Sequence, residues 1–228
     1  MKKQMSNPGI ERLKKIYSLY DEAMDHMEGV CQKKCSSCCT CNVTLTTLEA
    51  EFLIEALTQR EKKELQARIN HCFPQKRYIP KMTTNRFARL CVEGKEVPEE
   101  ENDPSWGKCP LLADDLCVLY EVRPFGCRAL MSQVHCSEKG YAQVPPIVLT
   151  FNTLFSQVIE HVDENGFFGN LSDMLTLFLS DNTFMRFSDP AGIPDDGRFV
   201  FNEKIPVLMI PLEHRERVKS FWKKLSSL

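Results

Sequence analysis

The stretch CQKKCSSCCTC, residues 31–41, places five cysteines in eleven positions of a chain that carries eleven in all. A 228-residue chain that is 43% hydrophobic and 26% charged can bury a core without crosslinks, so these thiols are not needed as disulfide staples. The opening MKKQMSNPGIERLKK has lysines but no apolar stretch of signal-peptide length behind it, and no later run approaches the roughly 18 apolar residues of a membrane span. IPVLMIPL (205–212) and PPIVLTF (145–151) are both interrupted by proline. This predicts a cytoplasmic protein with no membrane partner, in a compartment that keeps thiols reduced. Clustered cysteines there bind metal or do redox chemistry.

Working outward, the cluster falls in a loop between helices. Ile10, Leu13, Ile16, Tyr17, Tyr20, Met24 and Met27 lie at helical spacing and deliver the chain to Cys31. After the cluster, Thr46 and Glu49 form a capping box, and LEAEFLIEALTQREKKELQARI (48–69) reads as one or two helices. Residues 73–108 have weak periodicity and include the acidic VPEEENDPSWG (97–107), which reads as a connector or solvated loop. KCPLL (108–112) and LCVLY (116–120) flank Ala113, Asp114 and Asp115, a small hairpin and the only clear β element expected.

Phe151, Leu154, Phe155, Val158, Ile159 and Val162 then mark a helix running to a stop at Asn165 and Gly166. LSDMLTLFLS (171–180) marks another, and a tail helix starting at Pro211 carries Val218, Phe221, Trp222 and Leu225 on one face. The expected fold is mainly α: helices around a cysteine-rich metal-binding loop core with one small hairpin. Its organisation is an N-terminal helix (1–30), a cysteine-cluster domain (31–140) and a C-terminal helical region packed on it (141–228).

The cysteines form two groups in the sequence: Cys31, Cys35, Cys38 and Cys39, then Cys109, Cys117, Cys127 and Cys136. Thiolates are soft anionic ligands, and four of them complete a tetrahedral zinc site or hold a four-iron cluster. Adjacent side chains diverge on an extended backbone, so Cys38 and Cys39 can serve different centres. The eight thiols then make two four-thiolate centres, or one centre with reactive thiols beside it. Either would close a long loop and couple metal binding to folding. Cys41 is open as a ligand, and a Cys35–Cys38 redox dithiol lacks a thioredoxin-like setting. Cys72 and Cys91 stand alone and read as small buried hydrophobes.

CxxxCxxCC together with the later CPxL and CxxYxxRPxxCR resembles the zinc- or iron-chelating CxxCxxCC cysteine-cluster family called YkgJ-like. The resemblance is carried by Cys31, Cys35, Cys38, Cys39, Cys109, Pro110, Leu112, Cys117, Tyr120, Arg123, Pro124, Cys127 and Arg128 and covers about residues 31–136. Many members continue CRxxP, whereas RALMSQVHC (128–136) has no proline. The resemblance implies an iron-sulfur cluster or zinc as cofactor. It gives Arg123 and Arg128 a cofactor-binding part, offsetting the thiolates' charge and donating to sulfur; a surface salt bridge is the plain alternative. Tyr120 reads as core, Pro124 as the turn before Cys127, and His135 as structural.

The spacings outside Cys35–Cys38 are wider than paired zinc knuckles, which tilts the reading toward iron-sulfur. The expected function is electron transfer or metal handling, with metal ions as ligands and a protein partner or substrate in view. Cys31, Cys35 and Cys38 also resemble the CxxxCxxC of radical S-adenosylmethionine enzymes, and the wider pattern is similar to proteins described as flagellin lysine methylases. A cluster-dependent protein lysine methylase is therefore one alternative, and a zinc-stapled interaction module the other. A net charge of -2 and no basic, aromatic-laced patch near the cysteines argue against nucleic acid.

Overall fold

Asn7 accepts a hydrogen bond from the Gly9 amide, and Pro8 follows at the first helical position, where its missing N–H costs nothing. These start α1 (Pro8–Met24), which buries Ile10, Leu13, Ile16, Tyr17 and Tyr20. The computed structural model describes residues 7–180 and 196–228. Residues 1–6 of the expected N-terminal segment and 181–195 of the expected C-terminal region lie outside the described residues.

The run at 48–69 forms two helices, α2 (Thr47–Glu55) and α3 (Gln59–Cys72), each opened by a complete capping box, Thr46 with Glu49 and Thr58 with Glu61. The second box restarts the helix where the first has run out. Within 73–108 the chain folds a further helix, α4 (Thr84–Val92), capped by Thr83. The connector reading missed it because only Asn85 and Ala88 are buried along it. Its first amides are also held by the Glu160 carboxylate, Thr84 at 2.8 Å and Asn85 at 2.8 Å.

Between the two cysteine segments, β1 (Thr44–Thr46) is one edge of a three-stranded antiparallel sheet. The hairpin is present as β2 (Leu112–Ala113) and β3 (Leu116–Cys117). Asp114 and Asp115 both take positive φ, 47° and 61°, the pattern of a two-residue turn matched to strand twist. Two short helices follow, α5 (Phe125–Arg128) and α6 (Cys136–Lys139), the second ended by Gly140 at φ 77°. Then come α7 (Pro146–Val162), β4 (Phe167–Asn170), α8 (Leu171–Leu179), β5 (Phe199–Phe201) and α9 (Arg215–Leu225). One 3-10 turn, Leu212–His214, separates Pro211 from α9.

The sheet order is β1-β4-β5, with Thr44 opposite Asn170 and Phe167 opposite Phe201. The hairpin is therefore not the only β element. The three strands were hidden because each is three or four residues long and pairs only with a strand distant in sequence, β1 with β4 across more than a hundred positions and β4 with β5 across about thirty. About half the chain is helical, so the mainly α class holds. Among the described residues no helix is long and apolar enough to cross a membrane.

Two apolar cores meet at α2. One joins α1, α7 and α9 around Leu13, Ile16, Leu154, Phe155 and Val218, with Phe125 of α5 in edge contact with Tyr20 at 4.9 Å. The other joins α2, α3, α8 and β4 around Leu53, Ile69, Phe167, Met174 and Leu175, and it includes Cys109 and Leu111. Arg77 docks the segment after α3 on α8 through a two-pronged pair with fully buried Asp173, both bonds 2.6 Å.

Candidate metal centre

The loop at 31–41 is built from tight turns, because cysteines this close cannot share one direction on a regular element. The Cys35 amide bonds the Gln32 carbonyl and the Cys39 amide the Ser36 carbonyl, both at 3.0 Å, with Lys34 at φ 70°. Backbone pairing then zips this loop to the second cysteine segment. The Cys109 amide donates to the Cys39 carbonyl at 2.9 Å, the Cys41 amide to the Gly107 carbonyl at 3.0 Å, and Thr40 bridges Lys108. Ser36 to Asp115 (2.6 Å) and Lys33 to Glu121 (2.6 Å) add two side-chain ties.

At the other end of the loop, the Val30 amide bonds the Ser132 carbonyl at 2.9 Å, which places Cys31 beside the segment leading to Cys136. The hairpin carries Cys117 back toward Cys109, whose carbonyl accepts from Leu112 at 3.1 Å. Cys127 arrives on α5. That short helix lies directly on β1, since a β-carbon at Gly126 would stand 3.2 Å from the Thr44 carbonyl oxygen.

The outcome is a cavity of about 250 Å³ lined by seven cysteines: Cys31, Cys35, Cys38, Cys39, Cys109, Cys117 and Cys127. Leu111, Leu119, Leu130 and Met131 supply apolar wall, and Tyr120, Arg123 and Arg128 complete one side. Cys136 does not line the cavity. All eleven cysteines are free thiols. Among the described residues, no three His, Cys, Asp or Glu side chains are placed, as they stand, to hold a single metal ion.

Electrostatics shows which thiols are neighbours. Burial pushes the Cys31 thiol up, and so do Cys35, Cys38 and Cys136 nearby, while the Ser132 amide donates to its sulfur and pulls it down. Burial raises Cys109 to about 11, with Cys117 adding to it and the Leu111 amide opposing. Cys127 is raised by burial and then by Cys109 and Cys117. Cys117 is raised by burial, against the Leu119 amide, Arg123 and Arg68. Cys38 donates its S–H to Cys39, so Cys38 is raised and Cys39 lowered; the thiols that burden the Cys39 anion are Cys109, Cys127 and Cys117. Thiolates that repel one another inside an apolar wall are a donor set that a cation would stabilise. Three of the sulfurs also face backbone N–H groups, which favour the anion.

The two arginines differ. Arg123 stacks on Tyr120 at 4.1 Å, donates to the Tyr120 carbonyl at 2.8 Å, and stands near enough to Cys117 and Cys127 to lower both. Arg128 is committed to structure: it donates to the Arg123 and Glu121 carbonyls, both at 3.1 Å, lies over Tyr17 at 4.4 Å, and pairs with Asp21 at 3.7 Å. Tyr120, read as core from the sequence, lines the cavity, and both Arg123 and Lys33 lie over its ring. Pro124 precedes α5 as its cap, and His135 precedes α6 without a side-chain cap bond.

Cys41 is buried outside the cavity, its sulfur 3.5 Å from the Lys76 carbonyl. Cys72 and Cys91, expected to be buried, are both exposed. A lone cysteine on an amphipathic helix carries no signal for which side it faces.

Two residues that hold the site were not singled out for it. Arg68 of α3 reaches the Pro110 carbonyl at 2.6 Å and the Leu112 carbonyl at 2.5 Å, pinning the chain between Cys109 and Cys117, and it lowers both thiols. Glu49, legible only as a cap, also accepts from the Phe125 amide at 2.6 Å and the Tyr17 hydroxyl at 2.8 Å, and so fixes the start of the helix that carries Cys127. Nothing local in the sequence reports either contact. Comparisons with protein-family models, curated proteins and solved structures found no match.

Proposed function

We propose that this chain is a cysteine-cluster protein of the YkgJ-like kind, which holds an iron-sulfur cluster or zinc through its two cysteine segments and serves in electron transfer or metal handling. One observation carries the reading: seven cysteines from segments some seventy residues apart line a single cavity of about 250 Å³. Core packing scatters cysteines; it has no reason to turn seven sulfurs toward one space. The volume favours an iron-sulfur core over a lone ion, since by the same measure a water needs only about 10–15 Å³.

Cys39, Cys109, Cys117 and Cys127 would be ligands on the inner side, with Cys31, Cys35 and Cys38 toward the surface. Arg123 and Arg68 offset thiolate charge, and the Leu111, Leu119 and Ser132 amides donate to sulfur. An iron-sulfur cluster supplies one-electron chemistry when bound, whereas zinc supplies a redox-inert crosslink. The apolar wall of Leu111, Leu119, Leu130 and Met131 limits water at the sulfurs.

The test is anaerobic purification under reducing conditions followed by iron, zinc and acid-labile sulfide analysis on one sample. Iron with matching sulfide supports the redox form, and zinc without sulfide supports the crosslink. Protein that binds neither, even when both are offered, overturns the proposal.

A further inference from the structure

Eight thiols exceed what one centre uses, because a tetrahedral zinc or a four-iron cluster takes four protein ligands. The sequence divides them at the long gap, Cys31 to Cys39 against Cys109 to Cys136. The fold divides them differently. The Val30–Ser132 backbone bond puts Cys31 against the strand of chain leading to Cys136, while the Cys109–Cys39 bond and the Thr40–Lys108 bridge put Cys39 beside Cys109. The hairpin adds Cys117 to Cys109, and the seat of α5 on β1 adds Cys127.

Resting on the function proposed above, we infer that the chain carries two separate thiolate centres, one built by Cys31, Cys35, Cys38 and Cys136 and the other by Cys39, Cys109, Cys117 and Cys127. Each set draws on both cysteine segments, so each centre staples the loop at 31–41 to the chain beyond residue 108. The vicinal pair is the joint between them: Cys38 lies within the turn closed by the Cys39 amide on the Ser36 carbonyl, while the Cys39 carbonyl accepts from the Cys109 amide. The turn closed by the Cys35 amide on the Gln32 carbonyl keeps Cys35 close to Cys31, and both line the cavity with Cys38, as Cys39, Cys109, Cys117 and Cys127 do. The two centres are also unequal in access, since Cys31 is exposed whereas Cys109 is buried. The first is an outer centre and the second an inner one.

The experiment loads the full-length reduced protein anaerobically, with ferrous iron and sulfide in one series and zinc in another, and counts metal per chain at saturation. It compares wild type with Cys136→Ala and Cys35→Ala (outer set), Cys117→Ala and Cys39→Ala (inner set), a Cys117→Ala/Cys136→Ala double variant, and Cys72→Ala as control. Far-UV circular dichroism selects the folded variants in each set. Each folded single variant should keep about half of the wild-type metal, as expected when one of two four-thiolate centres is lost. The double variant should keep none, and Cys72→Ala all of it. Wild type saturating at one centre, or a folded single variant losing all of its metal or none of it, overturns the two-centre inference while leaving the function standing. Wild type that takes up no metal in either series overturns both.

Discussion

Replacing Glu49 with alanine tests whether one buried carboxylate supports both the fold and the site. Its two oxygens accept from the Thr46 amide (2.9 Å), the Thr46 hydroxyl (3.1 Å), the Tyr17 hydroxyl (2.8 Å) and the Phe125 amide (2.6 Å), and the residue is 4% exposed. Losing its arm of the capping box costs about 1 kcal/mol. Leaving the Tyr17 hydroxyl and Phe125 amide buried without an acceptor costs about 1–3 kcal/mol each. Because the donors share one carboxylate, the terms overlap, and about 4 kcal/mol is expected. For a chain of this size that is a fall in Tm of roughly 8–16 °C. Glu49→Gln keeps an acceptor oxygen but turns an amide NH2 toward a donor, so it should fall between alanine and wild type. Urea unfolding of the metal-free, reduced protein, followed by far-UV circular dichroism, measures both. A loss below about 1 kcal/mol for Glu49→Ala would show that these contacts do not support α5 and would refute the reasoning.

Other outcomes follow from the same geometry. Arg68→Ala should weaken metal binding by about 10–100-fold through the freed 110–112 chain, measurable by competition with a chelator, and an unchanged affinity would remove Arg68 from the site. Asp173→Ala strands Arg77 at the α8 surface and should cost about 3–5 kcal/mol in urea unfolding, a figure that a loss under half as large would contradict. Burial raises the Glu160 carboxyl against the amides of Asn85 and Thr84. The unfolded chain therefore releases this proton first, and wild-type stability relative to Glu160→Gln should fall as pH rises above about 4.3, then level off above the folded value. A difference curve rising with pH would reverse the assignment. In metal-free protein, iodoacetamide near neutral pH should label Cys39 before Cys117, since Cys38 donates to one sulfur and burial raises the other. Metal loading should protect the eight site cysteines and leave Cys72 and Cys91 reactive, as mass mapping would show.

Much of the scaffold is written locally. The capping boxes at Thr46 and Thr58, the stripe from Ile10 to Tyr20 and the left-handed pair Asp114–Asp115 each involve residues within a few positions of one another, where propensity and hydrogen bonding act without help. Helix α4 and the strands at 44–46, 167–170 and 199–201 are different. Helix α4 buries only Asn85 and Ala88 and the strands are too short to show a period; Glu160 holds the first amides of the helix and the sheet pairs the strands across the chain. The same division runs through the site. The cysteine spacing alone singled out eight thiols, seven of which line one cavity, because residue type and tight spacing are properties of the sequence. Which thiol stands beside which was decided by backbone pairing between 39 and 109 and between 30 and 132, and the anchors Arg68 and Glu49 by contacts over 42 to 76 positions. Local sequence cannot encode such pairings by pattern, since they form only when the two cores bring distant segments within hydrogen-bonding reach.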